Sequence, residues 1–145
     1  MASLKDIRKA IKSTLDANLP DLHVFAHSPD DGLMPALIVM PRPGSPGSPF
    51  AEFNKAMARG HDEYHLDLWL LVANTLDEEA QDTLDDYLTG SGPRSVREVI
   101  FNNQSLGLTN TQAFITGAYG YGGEPALGRI QGVGAVLQMY VVTSG

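Results

Sequence analysis

Apolar and polar positions change period several times along the chain, and each change marks an element. Between Leu4 and Asn18, Leu4, Ile7, Ile11 and Leu15 recur at spacings of three and four, which predicts a helix with one apolar stripe. Ser3 suits its N-cap, with Asp6 three residues on, and Pro20 lies just past its end. Leu22 to His27 predicts a short strand, followed by a turn at Ser28-Pro29-Asp30-Asp31-Gly32. The apolar run from Pro35 to Met40 predicts a buried strand. From His61 to Asn74 the period falls to two. Tyr64, Leu66, Leu68 and Leu70 share one face there, and His65, Asp67, Trp69 and Leu71 share the other.

Helical spacing returns at Thr75. Leu76, Ala80, Leu84, Tyr87 and Leu88 form one face, Thr75 and Glu78 fit a capping box, and Gly90 suits the C-terminal cap. Pro93 fits the first turn of a second, shorter helix that buries Val96, Val99 and Ile100. Two alternating strands follow. Thr111 to Tyr121 places Ala113, Ile115, Gly117 and Tyr119 on one face, and Gly132 to Thr143 does the same with Val133, Ala135, Leu137, Met139 and Val141.

Together these elements predict an α+β fold. A mostly antiparallel sheet of about five strands would carry the N-terminal helix and the helix pair. The length of 145 residues suits a single domain, 1–145. Two segments stand apart. Residues 41–60 open with PRPGSPGSP, which cannot form a helix or a central strand. Loops of that length are usually functional or disordered. Phe50 and Phe53 do not suit a solvated linker, so the segment is expected to order against another chain. Residues 120–132 are expected to form a Gly-rich hairpin tip.

Composition narrows the function. Hydrophobic residues make up 43% of the chain, yet no apolar run approaches the roughly 18 residues of a membrane span. The first fifteen residues lack the apolar stretch of a secretory signal, so a soluble protein made in a cytoplasm is expected. Cysteine is absent, which excludes disulfides and thiolate chemistry. The net charge of −7 is uneven: residues 1–60 hold seven Lys/Arg against six Asp/Glu, and residues 61–145 hold three against eleven. That balance disfavours tight nucleic-acid binding, although an acidic surface lets DNA pass without sticking.

Candidate chemistry is sparse. HDEYH at residues 61–65 resembles a zinc motif, but aspartate stands where glutamate is required, and the alternation predicts a strand. Residues four apart on a strand lie roughly 13 Å from each other. The glycines Gly117, Gly120, Gly122 and Gly123 precede a strand, not a helix, and so do not form a dinucleotide loop. The acidic run from Asp77 to Asp86 lacks the central glycine of a calcium loop. No catalytic residue, metal or cofactor is predicted. The remaining features belong to a protein that packs against other proteins.

The segment DTLDDYLTGSGPRSVREVI resembles a motif of tail terminator (neck) proteins of long-tailed actinobacterial phages, of the lambda-like tail terminator family. GAYGYGG before GRIQGVGAVLQMYVV fits the same pattern. The resemblance runs from Leu4 to Val142, and Pro41–Pro49 has no counterpart in it. It implies a non-enzymatic virion protein of the tail and neck, assembled in the host cytoplasm. Such proteins form a homohexameric ring that ends the tail tube and joins it to the head–tail connector, with DNA passing through the channel. The implied partners are further copies of the chain, the major tail tube protein and the stopper or connector, with no membrane. Another neck component, such as a head–tail stopper or tail completion protein, and a non-viral α+β binding module are the alternatives. Within the implied ring, basic Lys5, Arg8, Lys9 and Lys12 are expected to meet acidic Asp82, Asp85 and Asp86 of a neighbour. Arg42, Phe50, Phe53, Arg59, Tyr121 and Arg129 are the candidates for docking on the tube or connector.

Overall fold

A computed structural model describes residues 2–27, 34–53, 60–124 and 132–144. The order of elements is α1 (Leu4–Asn18), β1 (His23–Phe25), β2 (Ala36–Pro41), β3 (Ala51–Glu52), β4 (His61–Ala73), α2 (Glu78–Leu88), α3 (Val96–Asn102), β5 (Thr111–Gly123) and β6 (Val133–Ser144). The strands form one six-stranded sheet in the order β1-β2-β4-β6-β5, with β3 paired to β4.

The fold is α+β as expected, but the sheet is mixed. β1 runs parallel to β2, with His23 opposite Ala36 and Phe25 opposite Ile38. The sequence suggested a simple turn between them. A three-residue strand spans only about 10 Å, so the connection is long enough to carry the chain back to its start. The turn at 28–32 itself lies outside the described residues. The sixth strand is β3, which falls inside the segment expected to be loop. Two paired residues carry no periodicity, so no pattern announced it.

All three helices cover one face of the sheet. Ile7, Ile11 and Leu15 of α1, Ala80, Leu84 and Tyr87 of α2, and Val96 and Ile100 of α3 share one core. Its sheet side is Val24, Leu37, Val39, Leu66, Leu68, Leu70, Leu137, Met139 and Val141. The central strands β4 and β6 pair from His61↔Ser144 to Leu71↔Gly134 before a bulge near Val72. Chain start and chain end are tied together. Ala2 N–H donates to the Thr143 hydroxyl at 3.0 Å, and that buried hydroxyl is 3.0 Å from the Thr111 hydroxyl.

The capping assignments shift by two residues. α2 begins at Glu78, with Asp77 as its N-cap accepting from Ala80 N–H at 2.8 Å. Thr75 is therefore not the cap, and Leu76, expected in the core, is 37% exposed. Asp77 has the stronger claim because its carboxylate also meets the positive end of the helix. α2 ends at Thr89, whose N–H reaches the Asp85 carbonyl, so Gly90 is not the left-handed cap; Gly92, at φ 119°, turns the chain instead. α3 starts after Ser95, not at Pro93. The buried Ser95 hydroxyl accepts from Glu98 N–H at 3.1 Å and donates to the Thr89 carbonyl at 2.5 Å.

A bulge also divides β5. Ile115 pairs with Met139 but Gly117 pairs with Gln138, so Thr116 is the extra residue. Side chains alternate strictly along a strand, so one extra residue swaps the faces. Gly117 and Tyr119 therefore lie on the face opposite Ala113 and Ile115, contrary to the simple alternation.

The capping geometry yields a direct test in urea unfolding. Ser95→Ala should cost about 1–2 kcal/mol and Asp77→Ala about 1 kcal/mol, whereas Thr75→Ala should stay within about 0.5 kcal/mol. Equal costs for Thr75→Ala and Asp77→Ala would return the helix start to Thr75.

Candidate functional site

The helix-free face of the sheet carries the polar chemistry. Asp67 points there from the middle of β4 and is 2% exposed. Its two oxygens are met by Arg42 Nε and the Tyr119 hydroxyl, each at 3.4 Å. Arg42, a docking candidate from sequence, is thus drawn into its own chain by a buried carboxylate. Burial raises the pKa of the Tyr119 phenol, and the Asp67 charge raises it further. Trp69 packs beside this group, half-buried with Phe25, Met34 and Met40 around the fully buried Ile38 and Leu71.

A second polar group lies further along the same face. His65 and Tyr140 are cross-strand neighbours with ring centroids 5.2 Å apart. The Tyr140 hydroxyl donates to Glu63, which also meets His61 at 3.2 Å and the Glu52 carboxyl. These hydrogen bonds lower the Glu63 pKa, with Tyr140 the largest cause and His61 the next. The Tyr140 phenol is pushed up to about 12, first by burial and then by Glu63. Among the described residues no group of three or more His, Asp or Glu side chains is placed to hold a metal ion.

Residues 41–53 form a folded arm. Ser45 and Ser48 exchange backbone hydrogen bonds at 3.0 Å around a tight turn. Arg42 N–H donates to the His65 carbonyl at 2.9 Å, and His65 N–H donates to the Phe50 carbonyl at 2.7 Å. Gly44 is required at this fold-back, because a Cβ there would stand 2.5 Å from the Phe50 backbone nitrogen. β3 then pairs Ala51 with Tyr64. The arm holds an apolar groove of about 570 Å³ lined by Met40, several prolines and Phe50. Phe50 is 38% and Phe53 64% exposed, so the arm presents two phenylalanines on an ordered support.

The docking candidates do not gather in one place. Phe50 and Phe53 flank β3, on the β2 side of β4 and near the Tyr64 end of the sheet. Tyr121 is on β5 at the other edge, near the Leu71–Gly134 end, and its hydroxyl donates to Asp85 of α2 at 2.6 Å. Arg59 and Arg129 lie outside the described residues. The charged candidates are also partly committed. Arg8 donates to the Ala26 carbonyl at 2.5 Å, Lys12 pairs with Asp16 at 2.5 Å, and Asp86 is 3.9 Å from Arg94. Lys5, Lys9 and Asp82 are exposed. Sequence reasoning missed the Asp67–Arg42–Tyr119 group. Its only signal was an aspartate among apolar residues in the central strand.

The Glu63–Tyr140 bond gives a pH test. A carboxylate with a lowered folded pKa adds stability above its unfolded value, near 4.5, and loses it as pH falls through the folded value. Tyr140→Phe should therefore cost about 1 kcal/mol near neutral pH, a partly exposed charge-assisted bond. The difference from wild type should close well below pH 4.5 in denaturant titrations. A pH-independent cost would assign the loss to packing instead. On the alkaline side, the phenol's contribution is complete below pH 10 and is lost as pH rises through about 12.

No family model matches the chain, and no curated protein sequence matches it.

Proposed function

We propose that the protein is a structural component of a phage tail. In this role copies form a ring, hexameric by the resemblance, that ends the tail tube and joins it to the head–tail connector, with DNA passing through the channel. The protein does no catalysis in this role. Its partners are its own copies, the tail tube protein and the stopper or connector.

One observation carries this reading: aromatic side chains stand exposed at two opposite edges of a single sheet. Phe50 and Phe53 lie at one edge, and Tyr119, Tyr121 and Phe101 lie toward the other. Exposed apolar groups held on an ordered support are a feature of contact surfaces. Two unlike contact surfaces on one protomer suit a ring, because a closed ring needs one patch to meet a different patch on its neighbour. The acidic α2 face, with Asp77, Glu78, Glu79, Asp82 and Asp86 around a shallow depression, adds a surface that repels phosphate. The segment Asp82–Ile100, which runs from α2 into α3, carries the resemblance to the phage proteins.

Electron micrographs of the purified protein, alone and mixed with tail tubes, test the proposal. Rings, and tube ends capped by rings, are the expected result. Bare tube ends beside a protein that stays dispersed would overturn it.

A further inference from the structure

We propose that the open edge of β5 receives the Phe50–Phe53 segment of a second copy of this chain, so that copies join head to tail through unlike edges of their sheets. The biological setting rests on the ring reading above; the contact itself is tested without any tail.

β5 is thirteen residues long and ends the sheet. An edge strand presents a row of backbone N–H and C=O groups, and proteins normally protect long edges with charge, proline or bulges. The β5 sequence, TQAFITGAYGYGG, contains no charge and no proline, and its regular edge is interrupted by the bulge at Thr116 and a second irregularity between Tyr119 and Gly123. Among the described residues the edge is covered near its start, where Ala113 N–H donates to the Gln104 carbonyl at 2.7 Å. The opposite end of the sheet is managed differently. β1 is three residues long, and just past it the Ala26 carbonyl is taken by Arg8.

Exposed apolar groups follow the same asymmetry. Among the described residues, six large hydrophobic side chains are exposed. Four surround β5: Tyr119 and Tyr121 lie on it, Leu76 packs toward Gly122, and Phe101 sits on α3, the helix beside β5. The other two are Phe50 and Phe53, three strands away across β4 and β6. The four are spread over both sides of the β5 edge, Tyr119 toward Asp67 and Tyr121 toward Asp85 of α2, and none reaches Phe50 or Phe53 within one protomer. The two groups meet only between copies, in a heterologous contact of the kind that closes into rings.

The occupant is already shaped for the site. Ala51 and Glu52 are in extended conformation, and the arm is fixed by the Ser45–Ser48 and His65–Phe50 bonds. The Glu52 carboxyl turns to Glu63 of its own chain. An extended segment ordered in advance adds to a sheet edge at low entropic cost. Charge also favours this pairing. A chain of net charge −7 resists self-association over most of its surface, and the β5 strip is uncharged.

The chain has no cysteine, so introduced thiols are unambiguous. Glu52→Cys protein, which keeps both phenylalanines, mixed with Thr116→Cys protein should form a disulfide heterodimer under mild oxidation, while each variant alone forms none. The double variant should give a ladder of higher species. Phe50→Ser/Phe53→Ser should lose the oligomer in native mass spectrometry with an unchanged circular dichroism spectrum, because both side chains are exposed. The oligomer should persist at about 1 M salt, where the screening length is about 3 Å. Three results would overturn the proposal: Thr116→Cys dimerising by itself as readily as the mixture, loss of the oligomer in high salt, or a wild-type chain that remains monomeric. Rings that cross-link as expected but leave tube ends bare would sink the tail assignment and keep this contact. Capped tubes without the cross-link would do the reverse.

Discussion

The antiparallel pairing of β4 with β6 is the constraint on which the other elements depend. Its register places Tyr64, Leu66, Leu68 and Leu70 beside Val141, Met139, Leu137 and Ala135, and that surface is what the helices cover. The same register sends Glu63, His65, Asp67 and Trp69 to the opposite face. A slip of one residue would exchange the two sets and put an aspartate into the helix-covered core. Gly134 helps to hold the register in place, because a Cβ there would run into the Leu70 carbonyl oxygen across the ladder. Once this pair is set, β2 and β5 have one free side each to join. The sheet must then end in two edges of different character.

Elements with one-sided burial were legible in the sequence. α1, β4 and β6 show clear periods, because each has a face in the core and a face outside it. What failed was local. Thr75 and Asp77 both suit an N-cap, and only the position of the first helical turn decides between them. Pro93 and Ser95 pose the same choice, settled by a buried hydroxyl that serves two partners at once. The β5 bulge at Thr116 left no mark, since a single extra residue in a Gly-rich strand looks like continued alternation. The parallel sense of β1 depends on the path of a connection, and composition does not fix paths.

The candidate site was less legible because its groups are distant in sequence. Asp67 meets Arg42 and Tyr119 across separations of 25 and 52 residues. Asp85 meets Tyr121 across 36. No spacing rule connects such residues; only the sheet order does. The phenylalanines were visible as anomalies in a Pro-rich stretch. Their support was not, because it consists of backbone bonds from Ser45, Ser48 and His65.

Charge and apolar contact stand as rival causes of the proposed assembly, and their magnitudes differ. The sequence suggested a basic α1 facing an acidic α2 of a neighbour. Arg8 and Lys12 already have partners in their own chain, so exchanging them between subunits would gain little. An exposed ion pair is worth about 0–1 kcal/mol and weakens with salt. Fully burying one phenylalanine is worth about 1.5–3 kcal/mol, and the arm offers two that are partly exposed. Backbone bonds along an uncharged edge add direction to that gain. Charge is therefore better suited to steering copies together than to holding them. In the proposed assembly the lasting contact falls to the two sheet edges, where Phe50, Phe53, Tyr119 and Tyr121 stand exposed.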